Sequence, residues 1–291
     1  MYASIRDATV KDGGYPIVLD GLKALDVWAI EAEYSREFSV LDITTEESRL
    51  PLRTDEDFKA YKEFLAKHGV TVSALLLHND LNNKDMKAEI EWSATAIRAA
   101  YALGVKAVRI DSAMSGQQEL PFDERVQKFV DGIKAIIAET SDTPVDMGIE
   151  NHGYQGNDPN FLHGVFDGVG SDRIGMTLDT GNFYWRGHPL EKTYKVIEEF
   201  APLAKHTHVK NINYPEDKRN SEREMGWEYG TYVSPIPEGD VDHAKVVGFL
   251  RAAGYDRDLC CEDESLGKAG SVEAKQAQVK VDCDYLKKLA E

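Results

Sequence analysis

Short apolar runs alternate with amphipathic stretches from one end of this chain to the other, and that rhythm limits its folds more than any other feature. The runs read as strands at Tyr2–Arg6, Val27–Glu33, Val70–His78, Ala107–Asp111, Val145–Glu150, Ile174–Asp179, His206–Asn211 and Leu259–Glu262. Between them lie segments with apolar residues at helical spacing, such as DEDFKAYKEFLAKHG, AEIEWSATAIRAAYALG, DERVQKFVDGIKAIIAET and HAKVVGFLRAAGY. Several close on a glycine just past the last apolar residue, a common helix stop.

A strand followed by a crossover helix and another strand requires parallel pairing. Eight such units in 291 residues average roughly 36 residues each, the size of a unit in a closed eight-stranded barrel. The expected fold is α/β: a single-domain (β/α)₈ TIM barrel over residues 1–291. A doubly wound open sheet is the alternative, but no Gly-rich phosphate fingerprint follows the first strand. One interval breaks the rhythm. His208 and Glu262 lie 54 residues apart, whereas Glu150 to Asp179 and Asp179 to His208 each span 29. The excess predicts a long loop over 212–239 after strand seven, on the face where barrel active sites form.

Composition excludes several classes of function. Acidic residues outnumber basic ones 51 to 34, for a formal charge of −17. Phosphate binding draws its affinity from clustered Lys and Arg, so nucleic acid and acidic membrane surfaces are not expected partners. The three cysteines, Cys260, Cys261 and Cys283, form no CxxC pair and suit a reducing compartment. No apolar run is long enough for a signal peptide or a membrane span, so the expected location is the cytoplasm.

Four polar residues end four consecutive strand candidates: Glu150 in MGIENHG, Asp179 in GMTLDTGN, His208 in KHTHVKN and Glu262 in LCCEDES. In a barrel all four surround the C-terminal mouth, and adjacent strands lie only about 4.8 Å apart. Three carboxylates and an imidazole make a hard, mostly oxygen donor set. That set favours one divalent metal ion, with Mn²⁺ first and Mg²⁺, Co²⁺ or Zn²⁺ as further candidates. A single acid at a strand end is commonly a helix cap or an ion-pair partner; four in succession are harder to explain that way.

The stretch from Val145 to Leu266 resembles the xylose isomerase-like barrel superfamily of sugar isomerases and epimerases. The resemblance is carried by IENHG, LDTGN, HxHVKN and the Glu-rich last strand after AAGYDRD, and by GVTVSALLLH and AAYALGVKAVRI upstream. It implies metal ligands at Glu150, Asp179, His208 and Glu262. It also implies proton exchange at the substrate carbon by Glu150 and Glu262, with the metal stabilising the enediolate. The implied activity is a metal-dependent sugar isomerase or epimerase acting on a small sugar, cyclitol or oxo-sugar. The alternative is a metal-dependent dehydratase or lyase of the inosose dehydratase or 3-oxo-glycoside-cleaving kind. Apurinic-site endonuclease and metal-free carbohydrate-binding barrel are remoter readings, the first disfavoured by charge. Family habit implies a homodimer or homotetramer and a small-molecule carbohydrate substrate.

Further candidates fill the mouth. His152 and Lys210 lie two residues past Glu150 and His208, so alternation turns them towards the substrate. His78 and Asn79 end the third strand and are candidates for hydroxyl binding. Asn182 stands where several ketose epimerases carry His, which points away from a simple ketose. Trp185, Trp227 and Tyr229 fall in loops, as sugar-stacking faces or as loop anchors. His206 reads as a core histidine one layer deeper, Glu31, Glu33 and Arg109 as ion-pair members, and Cys260 and Cys261 as small core residues.

Overall fold

All 291 residues are described by the computed structural model, and all eight sequence-read runs become strands of one sheet. They are β1 (Tyr2–Arg6), β2 (Ala29–Glu33), β3 (Thr71–Leu76), β4 (Ala107–Asp111), β5 (Asp146–Glu150), β6 (Ile174–Asp179), β7 (Ala204–His208) and β8 (Asp258–Cys261). Every neighbouring pair is parallel, in the order β8-β1-β2-β3-β4-β5-β6-β7. The ends of that order meet. Val209 bridges Cys261 in parallel, the Val209 N–H donates to the Cys260 carbonyl at 2.8 Å, and the Glu262 N–H donates back to Val209 at 3.1 Å. The sheet is therefore a closed barrel and not an open doubly wound sheet.

The helices follow the strands: α1 (Val18–Leu25), α2 (Asp55–His68), α3 (Met86–Leu103), α4 (Phe122–Glu139), α5 (Pro159–Val169), α6 (Leu190–Phe200), α7 (His243–Ala252) and α8 (Val272–Ala290). Their ends are written locally. Thr54 and Asp57 form a reciprocal cap at the start of α2, which stops at Gly69 with φ 68°. Asp85, Asp158 and Ser271 cap α3, α5 and α8 through their side-chain oxygens. The strands are buried on both faces, which is why they read as continuous apolar runs. Phe129 of α4 and Phe161 of α5 meet edge-on, centroids 5.5 Å apart, and seal those helices together. Truncating such a fully buried ring to Ala costs about 3–5 kcal/mol.

Several strand ends move by one or two residues, and two readings change in substance. The run His206–Asn211 divides, because the chain leaves the barrel after Val209 and Asn211–Ile212 pairs antiparallel with Val233–Ser234 instead. The 212–239 segment is also more ordered than a bare loop. It holds that hairpin, helical turns at Glu216–Arg219 and Tyr229–Tyr232, and a 3₁₀ turn at Ile236–Glu238. Its charge and proline content hid these short elements.

Candidate metal centre and active site

The barrel register brings the strand ends to one level. Asp111 pairs with Glu150, and Asp179 with His208, across adjacent strands. Two asparagines lock that level: the Asn79 amide brackets the Asp111 backbone at 2.7 and 3.0 Å, and the Asn151 amide brackets that of Asp179 at 2.8 and 3.0 Å. Asn79 is thus buried as a strand clamp. At this level Glu150, Asp179, His208 and Glu262 each offer a ligand atom, all within 4.8 Å of one another and all buried.

Each side chain has one end anchored. Arg109, in the interior of the barrel, donates from Nε to Glu150 Oε2 at 2.6 Å and also pairs with it through Nη2. Arg6 pairs with Glu262 Oε1, and its Nε lies 3.3 Å from Glu31. The Gly181 and Asn182 N–H groups donate to Asp179 Oδ1 at 2.8 and 2.6 Å. A Cβ at Gly181 would lie 2.9 Å from Lys210 Cγ, so glycine lets Lys210 pass. Nε2 of His208 contacts Glu31 at 2.9 Å.

The other ends converge. His208 Nδ1 lies 3.3 Å from both Glu150 Oε1 and Glu262 Oε2. Asp179 Oδ2, Glu262 Oε2 and His208 Nδ1 are buried without a hydrogen-bond partner. Lys210 Nζ stands 3.3 and 3.4 Å from the two carboxylate oxygens, without hydrogen-bond alignment. Buried polar atoms normally find partners, so three such atoms aimed at one point ask for one. The electrostatics agree. Glu31, Asp111, Glu150, Asp179 and Glu262 crowd about Arg6, Arg109 and Lys210, and although burial opposes it, Glu262, Glu31 and Glu150 raise the His208 pKa well above its ordinary value; a divalent cation would take the place of that proton. Burial, reinforced by Glu262 and Glu150, pushes the Asp179 carboxyl up to about 8 against the pull of Lys210. Burial also opposes ionisation of Glu262, but His208, Lys210 and Arg6 hold it down to about 2. The residues fit a divalent ion.

The remaining candidates are placed as follows. Lys210 is buried and reaches Glu264 at 3.1 Å as well as the ligand carboxylates. Asn182 donates to Glu150 Oε1 at 3.2 Å, beside the ligand set. His152 is half-exposed at the rim, its Nδ1 3.1 Å from Asp111 Oδ1, and that hydrogen bond raises its pKa. His78 stands exposed at the end of the third barrel unit, with burial of part of the ring lowering its pKa. Trp185 and Trp227 pack within the loops: the Trp185 indole lies against Gly226, and Trp227 stacks on Tyr232 at 5.4 Å. His206 is the expected core histidine, between Glu31 and Asp258. Cys260 and Cys261 are buried thiols.

Sequence reasoning missed Arg6, Asp111, Glu264 and the role of Tyr229. Tyr229, from the long loop, pairs through its hydroxyl with Glu264. Arg6 ends its strand in YASIRD much as the four ligands end theirs, and that signal was available.

Residues 30–289 match the xylose isomerase-like TIM barrel family. The chain belongs to this family. Among solved structures it is similar to D-psicose 3-epimerase with D-tagatose from Clostridium cellulolyticum H10, at 12% identity and TM-score 0.74, over 100% of both chains. It is similar to the IolI protein with a bound zinc atom, at 17% identity and TM-score 0.68, over 99% of both chains. It is also similar to mannonate dehydratase from Streptococcus suis serotype2, at 15% identity and TM-score 0.66, over 100% of this chain and 94% of that one. At these identities the likeness establishes the fold. No curated protein matches the chain in sequence. No helix is long and apolar enough to cross a membrane.

Proposed function

We propose that this chain is a divalent-metal-dependent isomerase or epimerase that removes a proton beside the carbonyl of a small sugar, cyclitol or oxo-sugar and returns it. The convergence of Glu150, Asp179, His208 and Glu262, with three unpartnered buried atoms among them, carries the reading. A divalent ion held there supplies positive charge for the oxyanion that develops as the proton leaves. The oxygen-rich donor set ranks Mn²⁺ first, ahead of Mg²⁺, Co²⁺ and Zn²⁺; the zinc in the IolI structure keeps that metal among the candidates.

Glu150 and Glu262 are the proton-transfer residues. They reach the centre from β5 and from the end of β8, each 3.3 Å from the same His208 nitrogen, so they can address two faces of one carbon. Arg109 and Arg6 fix the far oxygen of each and leave Glu150 Oε1 and Glu262 Oε2 facing the site. Lys210 orients a substrate oxygen, His152 and His78 meet hydroxyls at the rim, and Asn182 supplies a neutral amide that favours a cyclitol or oxo-sugar. The indoles of Trp185 and Trp227 shape the loop that borders the sugar. The substrate is a small-molecule carbohydrate, and the three unpaired thiols support a cytoplasmic location. A homodimer or homotetramer follows from the family resemblance.

A second outcome, expulsion of a β-substituent by a dehydratase or lyase, is favoured by the His152–Asp111 pair, whose raised His152 pKa makes it a proton donor for a leaving group. The test is proton exchange in deuterated water with Mn²⁺ added, over keto-sugars, inososes and 3-oxo-glycosides in parallel. Deuterium entering one carbon of one class is expected. Loss of water or of an aglycone after exchange selects the lyase outcome, and a metal-loaded protein that exchanges nothing in any class refutes proton abstraction.

A further inference from the structure

Beneath the four converging residues lies a second cluster that the proposed reaction does not use. Glu31, His206 and Cys260 are buried and lie within 4.8 Å of one another. Such a trio has the composition of a metal site, but both imidazole nitrogens of His206 already face carboxylates at ion-pair distance. His206 Nδ1 stands 2.8 Å from Asp258 Oδ2 and its Nε2 stands 2.9 Å from Glu31 Oε1. Glu31 in turn reaches upward. Its Oε1 and Oε2 lie 2.9 and 3.0 Å from Nε2 of His208. The two histidine rings stand nearly perpendicular, 5.3 Å apart at 80°, so one carboxylate serves both.

We infer that Glu31 is a positioning residue that fixes the ring orientation and the tautomer of His208. A carboxylate at Nε2 accepts the Nε2–H and holds that proton in place, so that Nδ1 is the nitrogen left to give up its proton to a metal. Nδ1 is the nitrogen that faces Glu150 and Glu262 and has no hydrogen-bond partner. A ring flipped about its axis, or the opposite tautomer, would point an N–H where a ligand lone pair is required. Asp258, through His206, and Arg6, at 3.3 Å from Glu31 Oε2, hold the carboxylate from two further sides. The consequence is a buried line of side chains running from the lower end of β8 to the mouth: Asp258, His206, Glu31, His208.

The inference rests on the reading of His208 as a metal ligand, and the experiment separates the two. Zinc affinity is measured by competition with a chelator, by fluorescence or calorimetry, on wild type and on Glu31→Ala, Glu31→Gln and His208→Ala. Far-ultraviolet circular dichroism and thermal unfolding identify any variant that fails to fold. Glu31→Ala is expected to bind zinc about 10–100-fold more weakly, the usual effect of removing a carboxylate behind a histidine ligand. Glu31→Gln keeps an acceptor oxygen and is expected to recover most of that loss. In parallel, ¹⁵N spectra of the histidine rings report the tautomer directly, whether or not Glu31→Ala folds. With zinc added, the wild-type His208 is expected to keep its proton on Nε2 and to shift at Nδ1. Zinc binding by folded Glu31→Ala equal to wild type, or a zinc shift at Nε2, overturns the inference while leaving the metal site standing. Equal zinc binding by His208→Ala overturns the metal-site reading itself.

Discussion

His243, the first residue of α7, offers a test of how burial sets charge beside the candidate site. Its ring is buried, with Nε2 3.2 Å from Thr180 Oγ1 and 3.3 Å from the Lys210 carbonyl, and Nδ1 has no partner. Burial pushes its pKa down to about 4, against the weaker upward pull of the Lys210 carbonyl and Asp242. In the unfolded chain the value returns to about 6.5, so between these limits the unfolded state binds the extra proton. The stability this neutral histidine allows is therefore present above about pH 6.5 and is lost as pH falls towards 4. The full difference is worth roughly 3 kcal/mol, and about 2 kcal/mol of it is gone by pH 5. The comparison uses urea unfolding of wild type and His243→Gln between about pH 8 and pH 5, since Gln keeps a donor for the Lys210 carbonyl but does not titrate. Wild type is expected to lose about 2 kcal/mol more than the variant across that range. A gap between the two proteins that stays constant with pH refutes the argument.

Three further outcomes follow from the geometry. Glu262→Gln, assayed in the substrate class found by proton exchange, is expected to retain metal while turnover falls about 10²–10⁴-fold; unchanged turnover removes Glu262 from proton transfer. Tyr229→Phe deletes the hydroxyl that pairs the long loop with Glu264, and KM is expected to rise roughly tenfold with a smaller change in kcat; equal kinetics and equal protease resistance of the loop mean that the contact does not hold it. Asp282 is buried on α8, accepts from the Ile236 N–H at 2.9 Å, and burial, with Asp263 beside it, pushes its pKa up to about 9. Its raised value means that stability falls as pH rises above the unfolded value of about 3.9. Asp282→Asn is accordingly expected to raise the unfolding midpoint at neutral pH and to have a much smaller effect near pH 4, and a neutral-pH midpoint below wild type counts against it.

The barrel was legible because its signals repeat. Each strand is buried on both faces, so eight separate runs carry the same apolar mark, and the glycine stops at Gly69, Gly104 and Gly170 adopt the left-handed conformation that ends a helix. Elements of two to four residues carry no such period. Asn211–Ile212, Val233–Ser234 and the turn at Tyr229–Tyr232 are held by pairing and packing across the loop, including Trp227 on Tyr232, and local sequence alone does not fix them.

The site divides along the same line. Glu150, Asp179, His208 and Glu262 were readable because a polar residue at the end of an apolar strand is conspicuous, and the barrel makes four such ends meet. What pairs with them was not readable, because it depends on which strands closure sets beside or across the barrel from one another. Glu31 and His208 are 177 residues apart, and Arg6 and Glu262 are 256 apart, yet each pair is in contact. Pairing of β1 with β8 places Arg6 on Glu262, and closure through Val209 and Cys261 sets β7 beside β8 and so brings His208 to Glu262. A barrel that failed to close there would keep every strand and helix and still lose the approach of His208 to Glu262, one of its two candidate proton-transfer residues. The chemistry proposed for the mouth therefore depends on that last strand pairing as much as on the ligands themselves.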